Sequence, residues 1–316
     1  MTESDHGANY TISIEEFCFP TYKGNFEFKK TNTSQFYCII WGIGVLLNLT
    51  CSIFFGLAVN RQNSKSSINL GLLLVSLFKL ILDGLSIYQT FYPKYLDSFY
   101  ETVEAGHFFS LRIIQLAFIL AQFSIGMANY TTLLLVASQI EVVLSPNAKK
   151  WYESILRNIT GFSVCLGLIF PSILIYCFLI YSKNVLVYLC KDKGLVSFYP
   201  LRLFKLVHIK VVLKGIPILA VFFILLVLFI LLCIRVNNPK YNKADMKTKT
   251  ILALGICLVL FEGISFVESI IKFEGYLLWN NLCDAIASIP NLIVFIIFYP
   301  GFREFIFRMK NKEPSV

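Results

Sequence analysis

Charge is scarce in this chain. Asp, Glu, Lys and Arg make up 15% of its 316 residues, against 57% hydrophobic residues, and the mean hydropathy is +0.70. Ordinary soluble domains carry far more charge, so a membrane protein is the first reading. Histidine is scarcer still. His6, His107 and His208 stand in three separate segments, and no His, Asp and Glu grouping has metal-ligand spacing, so no metal site is expected. There is no glycine-rich phosphate loop and no Gly-x-Ser-x-Gly turn. These absences disfavour nucleotide chemistry and intramembrane hydrolysis; the chain is not read as an enzyme, and no cofactor is implied. No Cys-x-x-Cys pair occurs among the nine cysteines.

What the chain does have is long apolar runs. A helix crossing a bilayer needs about 20 mostly apolar residues. Stretches of that length lie at 35–59, 68–91, 108–134 (continuing as helix to about 144), 159–181, 211–234, 250–271 and 280–299. The expected fold is therefore all-α: a polytopic bundle of seven transmembrane helices over 35–299, between an N-terminal tail, 1–34, and a C-terminal segment, 300–316. The tail is polar with no compact apolar core, so the first span is expected to act as the insertion signal.

Orientation follows from Lys and Arg. The loops joining spans one and two, three and four, and five and six, with the C-terminal segment, carry 14; the opposite side carries 11, or 5 without the long four-five loop. This bias places the N-terminus outside. Sequons at Asn9 and Asn32 fall in that outer tail, which would make the protein a glycoprotein. Basic cytoplasmic loops beside anionic lipid account for the net charge of +9 without nucleic acid. Cys18, Cys190 and Cys283 fall at the outer side, where any two could be bridged; the other cysteines mostly lie within spans and read as small packing residues.

The spans carry polar stripes. Arg112, Gln115, Gln122 and Asn129 on the third fall within about 100° at 3.6 residues per turn, with Glu141 close to the same face. Glu262, Ser265 and Ser269 recur on the sixth, and Asp284, Ser288 and Asn291 on the seventh. Lys79 with Asp83, and Glu268 with Lys272, are spaced for i, i+4 pairs. Such groups either glue helices together or line a cavity open to the outside. The cavity reading makes Arg112, Gln115, Asp83, Lys79, Glu268 and Asp284 candidate ligand-binding residues. Pro171 and Pro217 fall within spans four and five, where each removes a backbone hydrogen bond. After Pro300-Gly301, the residues Phe302, Phe305, Ile306 and Met309 at i, i+3, i+4, i+7 predict a short amphipathic helix on the cytoplasmic leaflet.

Two resemblances follow from particular residues. Asn291-Leu-Ile-Val-Phe295, followed by Phe302-Arg303, resembles the Asn-Pro-x-x-Tyr element of rhodopsin-like G-protein-coupled receptors, with Leu292 for Pro and Phe295 for Tyr. Asn48 resembles their first-helix asparagine, whereas no cysteine stands at the start of the third helix. A closer resemblance is to the nematode serpentine chemoreceptors of the Sra-like superfamily (Sre, Srb and Srab). It rests on Ile140-Glu141, Tyr152-Glu153 at the matching distance, Asn69-Leu70 and Arg112. The departure is Val142, where both groups usually carry arginine.

The resemblance implies a multi-pass plasma-membrane receptor in sensory perception. A small-molecule or peptide ligand would bind in the outer half of the bundle, and helix rearrangement would pass the signal to a heterotrimeric G protein. Glu141, Asn291 and Phe295 would serve signalling. The alternatives are a ligand-gated channel or transporter subunit, or a coupling-defective relative, the last motivated by Val142.

Overall fold

Lipid does not drive apolar helices together, so a bundle in a membrane is held by packing, close approach and polar contacts between helices. The computed structural model describes residues 33–61, 67–99, 108–144, 156, 158–190, 195–200, 208–235, 246–271 and 289–310. It is a helical bundle. Six of its helices contain stretches long and apolar enough to cross a membrane: Cys38–Asn60, Ser67–Tyr88, Ile119–Ile140, Ile159–Leu179, His208–Leu231 and Thr248–Val267. The protein is thus a multi-pass membrane protein by helix length and composition.

The first four spans belong to uninterrupted helices: α1 (Thr33–Arg61), α2 (Ser67–Phe99), α3 (Phe108–Leu144) and α4 (Ile159–Asn184). Helix α3 is central and packs on α2, α4 and the fifth and sixth spans. Its apolar span is 72% buried, against 17% for α4, which faces outward along most of its length. The main core joins Phe55, Leu72, Met127, Leu135, Phe162, Leu213, Leu228 and Ile251, one or more from each of these six spans. Several hydroxyls within the helices are satisfied locally: Ser52, Ser76, Ser124 and Thr132 each donate to the carbonyl four residues back. That bond lets a short polar side chain sit in an apolar helix without a partner from another element.

The fifth and sixth spans depart from regular helix. The fifth passes through a five-residue π-turn, Val211–Gly215, into α5 (Ile216–Arg235); the sixth runs as α6 (Met246–Cys257), a π-turn over Leu258–Glu262, and α7 (Gly263–Ile271). The seventh expected span, 280–299, is described from Ile289 onward as α8 (Pro290–Phe298), nine residues long with proline in its first turn, packed on α6 and α1. Proline suits that position because its missing N–H would have no helical partner there.

Tyr299 is extended, with φ −115° and ψ 92°, and its carbonyl accepts from the Phe302 and Arg303 amides, opening α9 (Pro300–Lys310). The amphipathic reading is visible in the burial. Phe302 is sealed, Phe305 and Ile306 are half-buried, and Arg303 and Glu304 are exposed. Phe302 meets Phe54 of α1 at 5.1 Å between ring centroids, and Phe55 meets Phe295 of α8 at 4.9 Å. Edge-to-face rings at these separations are favourable beyond their buried area.

Among the described residues one hairpin is not helical. Val185–Cys190 (β1) and Leu195–Pro200 (β2) pair antiparallel, from Val185 opposite Pro200 to Cys190 opposite Leu195. Apolar runs of six are too short to stand out at the length of a membrane span, so the sequence predicts only a loop in the four-five connection where this hairpin stands. Residues 1–32 and 272–288 lie outside the described residues, and with them Asn9, Asn32, Cys18, Cys283 and Asp284. Cys190 ends β1, its side chain not among those described.

Candidate functional site

The chain counted as loop or tail holds 25 of its 28 Lys and Arg residues. The remaining three, Lys79, Arg112 and Lys214, lie inside spans, and two of them meet. Lys79 Nζ on α2 donates to Glu262 Oε1 at 2.6 Å, while Lys214 Nζ lies 3.1 Å from Glu262 Oε2. Lys214 also donates to Ser265 Oγ at 3.1 Å. All four residues are at most 6% exposed. One carboxylate therefore takes a different ammonium on each oxygen, and the three charges join α2, the fifth span and the sixth.

This corrects the i, i+4 pairing of Lys79 with Asp83. Lys79 reaches across the bundle to Glu262, and Asp83 Oδ2 accepts from Asn48 Nδ2 of α1 at 2.8 Å. A Cβ at Gly44 would lie 2.6 Å from that Asp83 oxygen, so glycine permits the close approach of α1 and α2 that brings Asn48 within reach. Charged groups this deeply buried are retained only where they are paired and hydrogen-bonded. Lys214 escaped the sequence reading because the apolar run beginning at Ile216 dominated its span; setting aside the basic residues of loops and tails would have exposed it.

Both Lys214 and Glu262 lie in π-turns. Such turns are rare, and they occur often at functional sites. A cause for the first is Pro217, which has no N–H to offer the fifth preceding carbonyl, Val212, or the fourth, Leu213. Helix α3 supplies what the proline cannot: Tyr130 Oη donates to the Val212 carbonyl at 3.0 Å and Asn129 Nδ2 to that of Leu213 at 3.1 Å. Asn129, the described member of the third-span stripe with a bond to another helix, thus acts as glue, as polar groups between membrane helices often do.

The other end of the sixth span is tied by neutral groups. Thr248 Oγ1 donates to Gln139 Oε1 of α3 at 3.0 Å, and Gln139 Nε2 donates to Ser138 Oγ at 2.9 Å. Thr250 Oγ1 donates to the Phe298 carbonyl of α8 at 3.2 Å, and Tyr299 Oη to Asn69 Oδ1 of α2 at 3.0 Å. The two sets lie at opposite ends: Glu262 falls in the last third of its span, whereas Thr248 and Thr250 begin it, Thr250 against the C-terminal end of α8.

The remaining predicted residues divide. Asn291 is buried, its Nδ2 without a described partner, and Phe295 is sealed in the aromatic cluster. Arg112, Gln115 and Glu141 lie within α3 and Glu268 within α7, their side chains outside the described set. A scan against protein-family models finds no match, and no curated protein is similar to this chain at a significant level.

Proposed function

We propose that the chain is a seven-span chemosensory receptor of the plasma membrane, with its N-terminus outside. In this reading it is a member of the Sra-like superfamily that its Ile140-Glu141 and Tyr152-Glu153 elements resemble. A ligand acts at the end of the bundle that holds Lys79, Lys214 and Glu262; the sixth span then shifts and opens a cytoplasmic surface to a heterotrimeric G protein. The observation that supports this most is the fastening of the sixth span at both ends by different chemistry. Charge holds it at Glu262, and neutral hydrogen bonds hold it at Thr248 and Thr250. A ligand shifts such an equilibrium only by binding its two states unequally, and a charge cluster offers a large difference between them. The end held by Thr248 and Thr250 can respond because its bonds are weak, each contributing about 0.5–1.5 kcal/mol net.

Loosening that end is expected to mimic ligand. Thr248→Val and Gln139→Leu should each raise ligand-independent G-protein signalling several-fold at equal surface expression. Unchanged basal signalling together with an unchanged ligand response in both variants would sink the proposal. Topology has its own check. Endoglycosidase treatment should increase gel mobility, and Asn9→Gln with Asn32→Gln should abolish the change; an unglycosylated wild-type chain would argue for an inverted bundle.

A second reading, a channel or transporter subunit, draws on the same cluster. Charges inside spans and interrupted helices are features of transport sites. A ligand-evoked current that survives blockade of G-protein signalling would favour it.

A further inference from the structure

The register of the hairpin between spans four and five sorts its residues by polarity. Val185, Val187 and Leu189 stand opposite Pro200, Phe198 and Val196, while the intervening pairs carry every hydroxyl of the two strands, those of Tyr188, Ser197 and Tyr199. Residues opposite one another share a face, and successive residues alternate between faces. One face of the ribbon is therefore wholly apolar and the other is mixed. We propose that this hairpin is an interfacial anchor whose apolar face lies on the phospholipid bilayer, at the boundary between headgroups and acyl chains, beside the end of the fourth span.

Three observations carry this. The first is where the hairpin starts. A two-stranded hairpin is marginal in water unless a further layer covers its apolar face. Among the described residues neither strand packs extensively on any helix beyond the end of α4, from which β1 continues at Val185 without a linker. The apolar run of the fourth span ends at Tyr181, so Val185 stands four residues, about 6 Å along a helix axis, beyond it. That is within the headgroup layer, which adds about 5–8 Å to each side of the hydrocarbon core.

The second is the helix that carries it. Of the six spans, α4 is the most open to lipid: 17% of its apolar span is buried, and Leu168, Ile175 and Phe178 are exposed along its length. A ribbon continuing from α4 starts at the perimeter of the bundle, where lipid is already the neighbour. On the return, residues 201–207 read Leu-Arg-Leu-Phe-Lys-Leu-Val before the fifth span begins at His208, a mainly apolar connection that is favoured near the bilayer.

The third is charge. Lys183, Lys191, Lys193, Arg202 and Lys205 stand within 182–207, with Asp192 as the one acid. Cationic heads of this kind suit lipid phosphates, and the stems of lysine and arginine follow apolar surface. The hydrocarbon core itself is excluded, because the outer edge of each strand carries backbone groups that the other strand does not pair, and such edges do not occur within lipid. A bilayer has the same boundary on both sides, so the anchor serves either orientation of the bundle.

The test uses the full-length chain in phosphatidylcholine nanodiscs. Val187→Trp and Phe198→Trp place a fluorophore on the apolar face, Tyr188→Trp and Ser197→Trp one on the other, and the emission of the wild-type chain with its three tryptophans is subtracted. Phosphatidylcholine brominated near the headgroup end of its acyl chain should quench the added emission of the first two variants several-fold more than that of the second two. If an apolar-face variant does not fold, Val196→Trp, opposite Leu189 on the same face, takes its place. Weak quenching on both faces, or equal quenching on both, would overturn the proposal. A second measurement separates lipid from the bundle as the cover. Val187→Asp/Phe198→Asp should greatly accelerate amide hydrogen exchange over 185–200 and leave the melting temperature of the bundle at its wild-type value. A melting temperature lowered by several degrees would show that the apolar face packs against the bundle, and would also overturn the proposal.

Discussion

Replacing Glu262 by leucine is expected to destabilise the folded bundle by about 3–5 kcal/mol, because it removes the carboxylate on which two buried ammonium groups converge. Lys79 and Lys214 are each at most 6% exposed. Removing the whole cluster should be far milder. Lys79→Met/Glu262→Leu/Lys214→Met removes all three charges of this cluster together, and apolar replacements of similar volume for buried ion networks are often neutral or stabilising. Thermal denaturation of the two proteins in the same detergent separates the cases. The single variant should melt well below wild type and the triple variant close to it. Equal losses in both would mean that packing around these side chains, and not their charge, holds the three spans together.

Asn129→Leu should cost about 1–3 kcal/mol, the penalty for a buried carbonyl left without a donor. The carbonyl is that of Leu213, which Pro217 cannot serve and which Asn129 Nδ2 reaches at 3.1 Å. Tyr130→Phe exposes the Val212 carbonyl in the same way, and the two losses should be coupled because both bonds hold one π-turn. The telling comparison is Pro217→Ala. It restores an N–H, allows the fifth span to run as regular helix, and should make Asn129→Leu nearly harmless. A double-mutant cycle in the same detergent measures this, and strict additivity of Asn129→Leu and Pro217→Ala would show that the asparagine is not there to complete the proline's missing bond.

Much of the architecture was legible because spanning a bilayer demands length and apolarity, which a linear scan sees directly. Six of the seven expected spans appear, five within about four residues of the expected bounds and the third at Ile119–Ile140 inside a helix that begins at Phe108, and α9 appears with Phe302 on its buried face and Arg303 on its exposed one. The hairpin Val185–Pro200 was missed because strands six residues long carry no such signal. The π-turns were also invisible. Pro217 announces an interruption, but the Leu258–Glu262 turn contains no proline or glycine to mark it.

The site was legible only as a set of polar residues that must have partners. Sequence by itself determined that Lys79, Asp83 and Glu262 lie inside helices where an isolated charge is costly, since that cost depends on each residue's surroundings along its own span. Which charge meets which was decided by the tertiary structure. Spacing on one helix offered Lys79 to Asp83, yet the packing of spans two, five and six brings Glu262, 183 residues away along the chain, to 2.6 Å from Lys79, and turns Asp83 toward Asn48. Helical periodicity fixes neighbours within a span, whereas a pair between spans depends on how the helices rotate and slide against one another, and that follows from the packing of the whole bundle.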